Sequence, residues 1–210
     1  STLFPYTTLF RSGEAGNWGE VMQLKASDAD SGDQFGEALA ISGDYIIVGV
    51  QRNEDNGRFS GSAYIFERNA GGAGAWGEVK KMTASDAARG DSFGNSVDID
   101  GDVAIVGAVA DDRDAGSVYI FEKDTGGVGN WGETKKVLAS DRTSSDYFGV
   151  SVGVSGDYVI VGAYLEDEEA SDAGAAYIFE RNTGGASNWG EVKKITASDA
   201  AASDRYGLDR

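Results

Sequence analysis

The sequence predicts an all-β chain, a β-propeller portion of about three four-stranded antiparallel blades. Three observations carry that prediction. Tryptophans recur at Trp18, Trp76, Trp131 and Trp189, with spacings of 58, 55 and 58 residues. Aromatic-glycine pairs follow each Trp by 17 residues, at Phe35-Gly36, Phe93-Gly94, Phe148-Gly149 and Tyr206-Gly207. Within one period, four strand-like segments grade from apolar to polar. Repeats of this length mark solenoids and propellers, and four antiparallel strands per repeat describe a propeller blade.

The chain opens on "TLFPYTTLFRS", Thr2 to Ser12, which holds the only proline and lacks Asp, Glu and Gly. It reads as the translation of a sequencing-library adapter and is set outside the repeat frame. Residues 13–34 are expected to hold the outer strand and entry turn of a preceding blade. Three repeats then span 35–92, 93–147 and 148–205, and 206–210 begins another. Propellers close with roughly 4 to 8 blades, so just over three blades leave apolar faces to be covered by further blades of the same chain.

Each segment has a local reason. "FGEALAIS" alternates large residues (Phe35, Leu39, Ile41) with small ones (Gly36, Ala38, Ala40), the two-residue period of a strand. Ser42-Gly43-Asp44-Tyr45 reads as a two-residue hairpin with Gly at the first central position, as a type II′ turn requires. "YIIVGV" is continuously apolar, the mark of a strand buried on both faces. "GSAYIFER" and "WGEVKKMTA" follow across a Gly-rich loop, and the last is the most polar, as an outermost strand can be. Small faces of one sheet accept the bulky faces of the next where sheets stack about 10 Å apart.

Composition removes several function classes. With 18 basic and 35 acidic residues the formal net charge is −17, which argues against a nucleic-acid partner. No cysteine and no histidine occur, so disulfides, thiol chemistry, Ser-His-Asp catalysis and His-ligated metals are all absent. No apolar run approaches the ~18 residues of a membrane-spanning segment.

The pairs Phe-Gly and Gly-Ala (Gly107-Ala108, Gly162-Ala163), set around "GD" and "IVG", resemble FG-GAP repeats. These build the propeller of integrin α-subunits and of many bacterial surface proteins, and the short bacterial variety is the nearer likeness. The resemblance covers roughly residues 18 to 207. It implies a non-catalytic binding or adhesion scaffold, extracellular or at the cell surface, with a protein or glycan ligand at its variable loops. The Pro of Gly-Ala-Pro is replaced by Val109 and Tyr164, and by Gln51 after Gly49-Val50. The family's calcium loop corresponds to Asp98-Ile99-Asp100-Gly101-Asp102, here shortened to a tight turn that lacks its distal ligands. Six to eight oxygens are hard to gather from such a turn.

Two further acidic sets recur. Asp28 and Asp33, with Asp86/Asp91, Asp141/Asp146 and Asp199/Asp204, fail the EF-hand pattern and read as hydrogen-bonding the turn that starts each inner strand. The variable loops 51–60, 109–115 and 164–173 absorb all the length variation, and loops on a rigid scaffold are where binding sits. Their clustered carboxylates suit Ca²⁺, so Asp167, Glu168, Glu169, Asp172, Asp111, Asp112 and Asp114 are the metal-ligand candidates. The competing reading is a solvated acidic face with no cofactor required. A propeller forming or accompanying a hydrolase or lyase site is the alternative function, with paired carboxylates as acid and base.

Overall fold

The computed structural model describes residues 7–12 and 18–208; residues 1–6, 13–17 and 209–210, and with them part of the expected 206–210 segment, lie outside them. The chain begins with a two-stranded sheet, β1 (Thr7–Ser12) antiparallel to β2 (Trp18–Leu24). Blade 1 follows in simple order as β3 (Ala38–Ser42), β4 (Tyr45–Val50), β5 (Ser62–Arg68) and β6 (Trp76–Met82). Blade 2 is β7 (Phe93–Asp100), β8 (Val103–Ala108), β9 (Ser117–Glu122) and β10 (Gly132–Val137). Blade 3 is β11 (Phe148–Ser155), β12 (Tyr158–Ala163), β13 (Ala175–Glu180) and β14 (Gly190–Ile195). Among the described residues, the one helical element is a turn at Asp111–Asp114 (α1), where Asp112 and Arg113 have left-handed φ values of 49° and 63°.

Within a blade the strands are joined by the predicted hairpins. Ser42 pairs with Tyr45, Asp100 with Val103 and Ser155 with Tyr158, leaving two residues in each turn. The first of the two is Gly43, Gly101 or Gly156 at φ 56–57°, a left-handed conformation that glycine adopts without a Cβ penalty.

Blades stack face to face. Between blades 1 and 2, Ile47, Ala63 and Ile65 meet Phe93, Tyr119, Phe121 and Trp131. Between blades 2 and 3, Ile105, Val118 and Ile120 meet Phe148, Tyr177, Phe179 and Trp189. One face of each blade is therefore aliphatic and the other aromatic. The recurrent Phe stands edge-on to two aromatics of its own blade, with Phe93 5.4 Å from Tyr119 and 6.1 Å from Phe121. Such geometry adds stabilisation beyond the area buried.

The repeat signature now has a cause. A Cβ on Gly49 would lie 2.1 Å from the Gly94 carbonyl oxygen, and one on Gly107 2.3 Å from that of Gly149. The glycine of "VG" is thus the contact point for the "FG" of the following blade. Phe93 and Phe148 also form parallel bridges to Gly61 and Gly116 of the preceding blade. These bridges draw Phe93 and Phe148 into their strands, whereas β3 starts only at Ala38 and Phe35 has no such bridge among the described residues.

Thr7–Ser12, set outside the repeat frame, forms β1 and pairs with β2. Its register copies that of β5 on β6: Thr7 faces Leu24 as Ala63 faces Met82, and the irregularity after Leu9 matches the one after Ile65. A fourth strand offers its neighbour a row of unpaired N–H and C=O groups, and "TTLFRS" is rich enough in β-branched and aromatic residues to take the place. The apolar end face expected of an incomplete set of blades is seen on blade 3, where Tyr158 is 53% exposed and Ile160 46%, with no strand among the described residues covering them.

Candidate functional site

The variable loops all follow the second strand of a blade, so the repeat places them along one rim. Each is tied to the turn that enters the next blade by backbone hydrogen bonds. Gly90, Ser92 and Phe93 donate to Arg58, Phe59 and Ser60, while Ser145, Tyr147 and Phe148 donate to Arg113, Asp114 and Ala115. Ser203, Arg205 and Tyr206 repeat the pattern on Ser171, Asp172 and Ala173. Rim loops are thereby fastened to the joint between blades.

The same rim carries a charged cluster in every repeat. The outer-strand Lys sits opposite the Tyr of the third strand in the pairs Tyr64–Lys81, Tyr119–Lys136 and Tyr177–Lys194. Both side chains reach an Asp from the preceding turn. Tyr119 donates to Asp86 Oδ1 at 2.6 Å and Lys136 to Asp86 Oδ2 at 2.7 Å. Tyr64 and Lys81 do the same to Asp28, and Tyr177 and Lys194 to Asp141. Each ammonium then takes a further carboxylate from its variable loop. Lys81 takes Asp55, Lys136 takes Asp111 at 2.5 Å, and Lys194 takes Glu166 at 3.0 Å and Glu168 at 2.5 Å.

Electrostatics follow the geometry. Burial by itself would raise the carboxyls of Asp28, Asp86 and Asp141, but their Lys and Tyr hydrogen bonds outweigh it and hold them below the ordinary carboxylate value. Burial would lower Lys81, Lys136 and Lys194, yet the carboxylate partners push each above an ordinary lysine. Tyr64 is pushed up to about 12, chiefly by burial, and Tyr119 and Tyr177 rise by burial and by their Asp partners. All three clusters therefore stay charged and closed near neutral pH.

The two Asp sets separate in role. Asp33, Asp91, Asp146 and Asp204 accept the backbone N–H three residues earlier, at 2.5–2.9 Å, so they build the turn as read from the sequence. Asp28, Asp86 and Asp141 instead lock one blade to the next. Their neighbours Ser27, Ser85 and Ser140 add a two-pronged latch: Ser85 donates its N–H and Oγ to the two oxygens of Glu133, at 3.0 and 2.8 Å.

The metal-ligand candidates divide in the same way. Asp111 and Glu168 enter the Lys-centred clusters. Asp112 pairs with Arg142 at 3.2 Å and Asp172 uses its carbonyl to hold Arg205 N–H. Asp167 and Glu169 are exposed, and neither they nor the Asp114 carboxylate have a side-chain partner among the described residues. The carboxylates that do converge are Asp141, Glu166 and Glu168, with one oxygen of each within 4.8 Å of the others. Sequence reasoning placed Glu166 in the acidic run Glu166–Glu169 without singling it out, and read Asp141 as a turn residue rather than a ligand. The signal for Asp141 was available: a Tyr and a Lys recur in every repeat at positions that share a face with it. In the inner turn, Asp98 Oδ2 and Asp100 Oδ2 accept the N–H of Val154 and Gly156 at 2.8 Å, joining blade 2 to blade 3.

A polar cavity of about 710 Å³ opens on this rim between the Asp30–Asp33 turn and the Arg52–Phe59 loop. Arg58 lies 4.7 Å and Arg52 5.7 Å from the Phe59 ring centre, so an aromatic wall flanked by guanidinium groups borders the opening. Among known families, the model described as FG-GAP repeat matches residues 18–66, 76–121 and 131–179, more than half of the chain. No curated protein matches it.

Proposed function

We propose, since this chain belongs to the FG-GAP repeat family, that it is a non-catalytic extracellular scaffold whose rim loops take a protein or glycan ligand. One observation supports this above the rest. The scaffold residues repeat nearly unchanged, while sequence and length vary in the three loops of one rim. No helix among the described residues is long and apolar enough to cross a membrane. The test is binding to an immobilised glycan array and a panel of matrix proteins, by the parent and by variants with 51–60 or 164–173 replaced by Gly-Ser. The expected result is a probe whose binding falls at least about tenfold in one variant with the blades still folded, the loss of one well-placed contact. Binding that survives both replacements places recognition elsewhere.

A second reading, divalent cation binding, is favoured at the third cluster. There three carboxylates face one ammonium, where each of the other two clusters has two. Glu166 is 5% exposed, and its Oε2 has no donor among the described residues. Carboxylate oxygens suit Ca²⁺, and a site short of ligands belongs with the weak extracellular modules, at roughly 10⁻⁴–10⁻³ M. Millimolar calcium is expected to raise the parent's melting temperature over chelator, and Glu166→Gln to abolish the response. An equal response in both proteins removes the site from this cluster.

A further inference from the structure

One of the three rim loops is chemically unlike the other two. Hydrogen bonds to the entry turns fix the matching positions. The carbonyls of Arg58, Arg113 and Ser171 accept from Gly90, Ser145 and Ser203, and those of Phe59, Asp114 and Asp172 accept from Ser92, Tyr147 and Arg205. Phe59, Asp114 and Asp172 share a left-handed backbone, with φ values of 59°, 64° and 55°. Asp is at home in that region, whereas a bulky aromatic there is an outlier that carries strain. Blade 1 thus holds an aromatic ring, against local backbone preference, where its neighbours hold an acid.

Around this ring the local charge changes sign. Arg58 and Arg52 hold their guanidinium carbons 4.7 and 5.7 Å from the Phe59 ring centre. Arg89 joins them from the entry turn of blade 2, where a Cβ on Gly57 would lie 3.6 Å from its Cα. Asp91, Asp146 and Asp204 each accept the N–H three residues earlier, which aligns Arg89 with Ser144 and Ala202 of the later turns. Arg68, Arg142 and Arg181 each face a carboxylate. Arg52, Arg58 and Arg89 are exposed and make no ion pair among the described residues. A guanidinium stacked on an aromatic face keeps its N–H fork free for a planar oxyanion.

The adjoining cavity of about 710 Å³ limits what else the ligand carries. Its walls are the turn that enters blade 1 and the loop after that blade's second strand, with Asp30, Ser31, Glu54 and Asp55 among the lining side chains. Ionised carboxylates only accept hydrogen bonds, so an occupant must bring donors as well as an anion. Sugar hydroxyls are such donors, and the volume falls in the range of small-molecule sites. A dense polyanion fits less well, because a chain of net charge −17 repels it. We propose that the 51–60 loop and Arg89 bind an acidic polysaccharide of the uronate class, its carboxylate on the guanidinium forks and its hydroxyls toward Asp30, Glu54 and Asp55. This rests on the rim loops being the ligand-binding loops, and it names the ligand class of one of them.

The test is calorimetric titration, in chelator so that no cation bridges, with three probes. They are oligogalacturonate, the same oligosaccharide fully methyl-esterified, and polyglutamate. Oligogalacturonate is expected to bind the parent, and the ester, which keeps hydroxyls but loses the charge, to bind at least about tenfold more weakly. Arg58→Gln and Arg89→Gln each weaken the acid about tenfold, as for loss of a hydrogen bond to a charged partner. Phe59→Asp, which gives blade 1 the residue of the other two loops, abolishes binding. Arg113→Gln, at the matching position of the blade 2 loop, leaves it unchanged. The three Arg positions are exposed, so these variants should melt as the parent does. Equal binding of acid and ester, or of the parent and both blade 1 Arg variants, overturns the anion contact and leaves the rim-loop reading standing. Polyglutamate bound as tightly as oligogalacturonate overturns the glycan in favour of an acidic protein. A parent that binds none of the three probes also overturns the proposal, and the loop replacements described above then decide the broader reading separately.

Discussion

Trp131→Ala is expected to lower the free energy of unfolding by about 3–5 kcal/mol, the cost of emptying a buried indole site. Trp131 is 1% exposed and lies in the core between blades 1 and 2, with its ring 5.3 Å from Tyr45 of the preceding blade at 72°. Its backbone has φ 50°, held by a 2.8 Å hydrogen bond from its N–H to the Lys123 carbonyl, which aims the side chain into the joint. Surrounding strands belong to two stacked four-stranded sheets and have little room to collapse into the void. Val128→Ala, at a position 99% exposed on the loop before it, is the control and should leave stability unchanged. Denaturant melts of both variants decide the matter. A loss below about 1 kcal/mol for Trp131→Ala would mean that the joint is not packed as described.

Gly107→Ala is the second large effect, and it acts by excess rather than loss. The added methyl would stand 2.3 Å from the Gly149 carbonyl oxygen and 2.3 Å from Ser96 Oγ. That oxygen also accepts Ser96 Oγ at 2.6 Å, so the clash breaks a buried hydrogen bond between blades 2 and 3 as it pushes them apart. The expected cost is about 3 kcal/mol, at the upper end for overpacking, because backbone rather than a flexible side chain must move. Gly19→Ala offers the comparison, since nothing lies within 4 Å of its Cβ position and its φ is ordinary. Equal melting temperatures for the two variants would refute the close approach of "VG" to "FG".

Much of the fold was legible because it rests on short-range rules. Alternation of large and small residues separated the faces of each strand, Gly-Asp pairs located the hairpins, and the Trp spacing set the frame that the three sheets follow. The site was less legible. The loops were found from their variable length, but the partners of their acids were not. Lys81 and Asp28 are 53 residues apart, and Lys194 and Asp141 are separated by the same distance. Nothing within either local stretch marks the other as its counter-charge. Reading Asp28 and Asp33 as one turn motif was half right for this reason: Asp33 acts within three residues, which a pattern shows, and Asp28 acts across a joint, which it does not.

The sequence by itself determined the repeat, the four strands of each blade, their turns and the polar grading outward, since each depends on backbone preference and burial period over a few residues. Only the tertiary structure decided that Thr7–Ser12 completes a strand pair, and that Asp28, Asp86 and Asp141 each close on a lysine of the next blade. Those outcomes depend on how stacked sheets bring residues some 50 positions apart within hydrogen-bond distance. Stacking is a property of whole faces, and charge partners are chosen only after the faces have met.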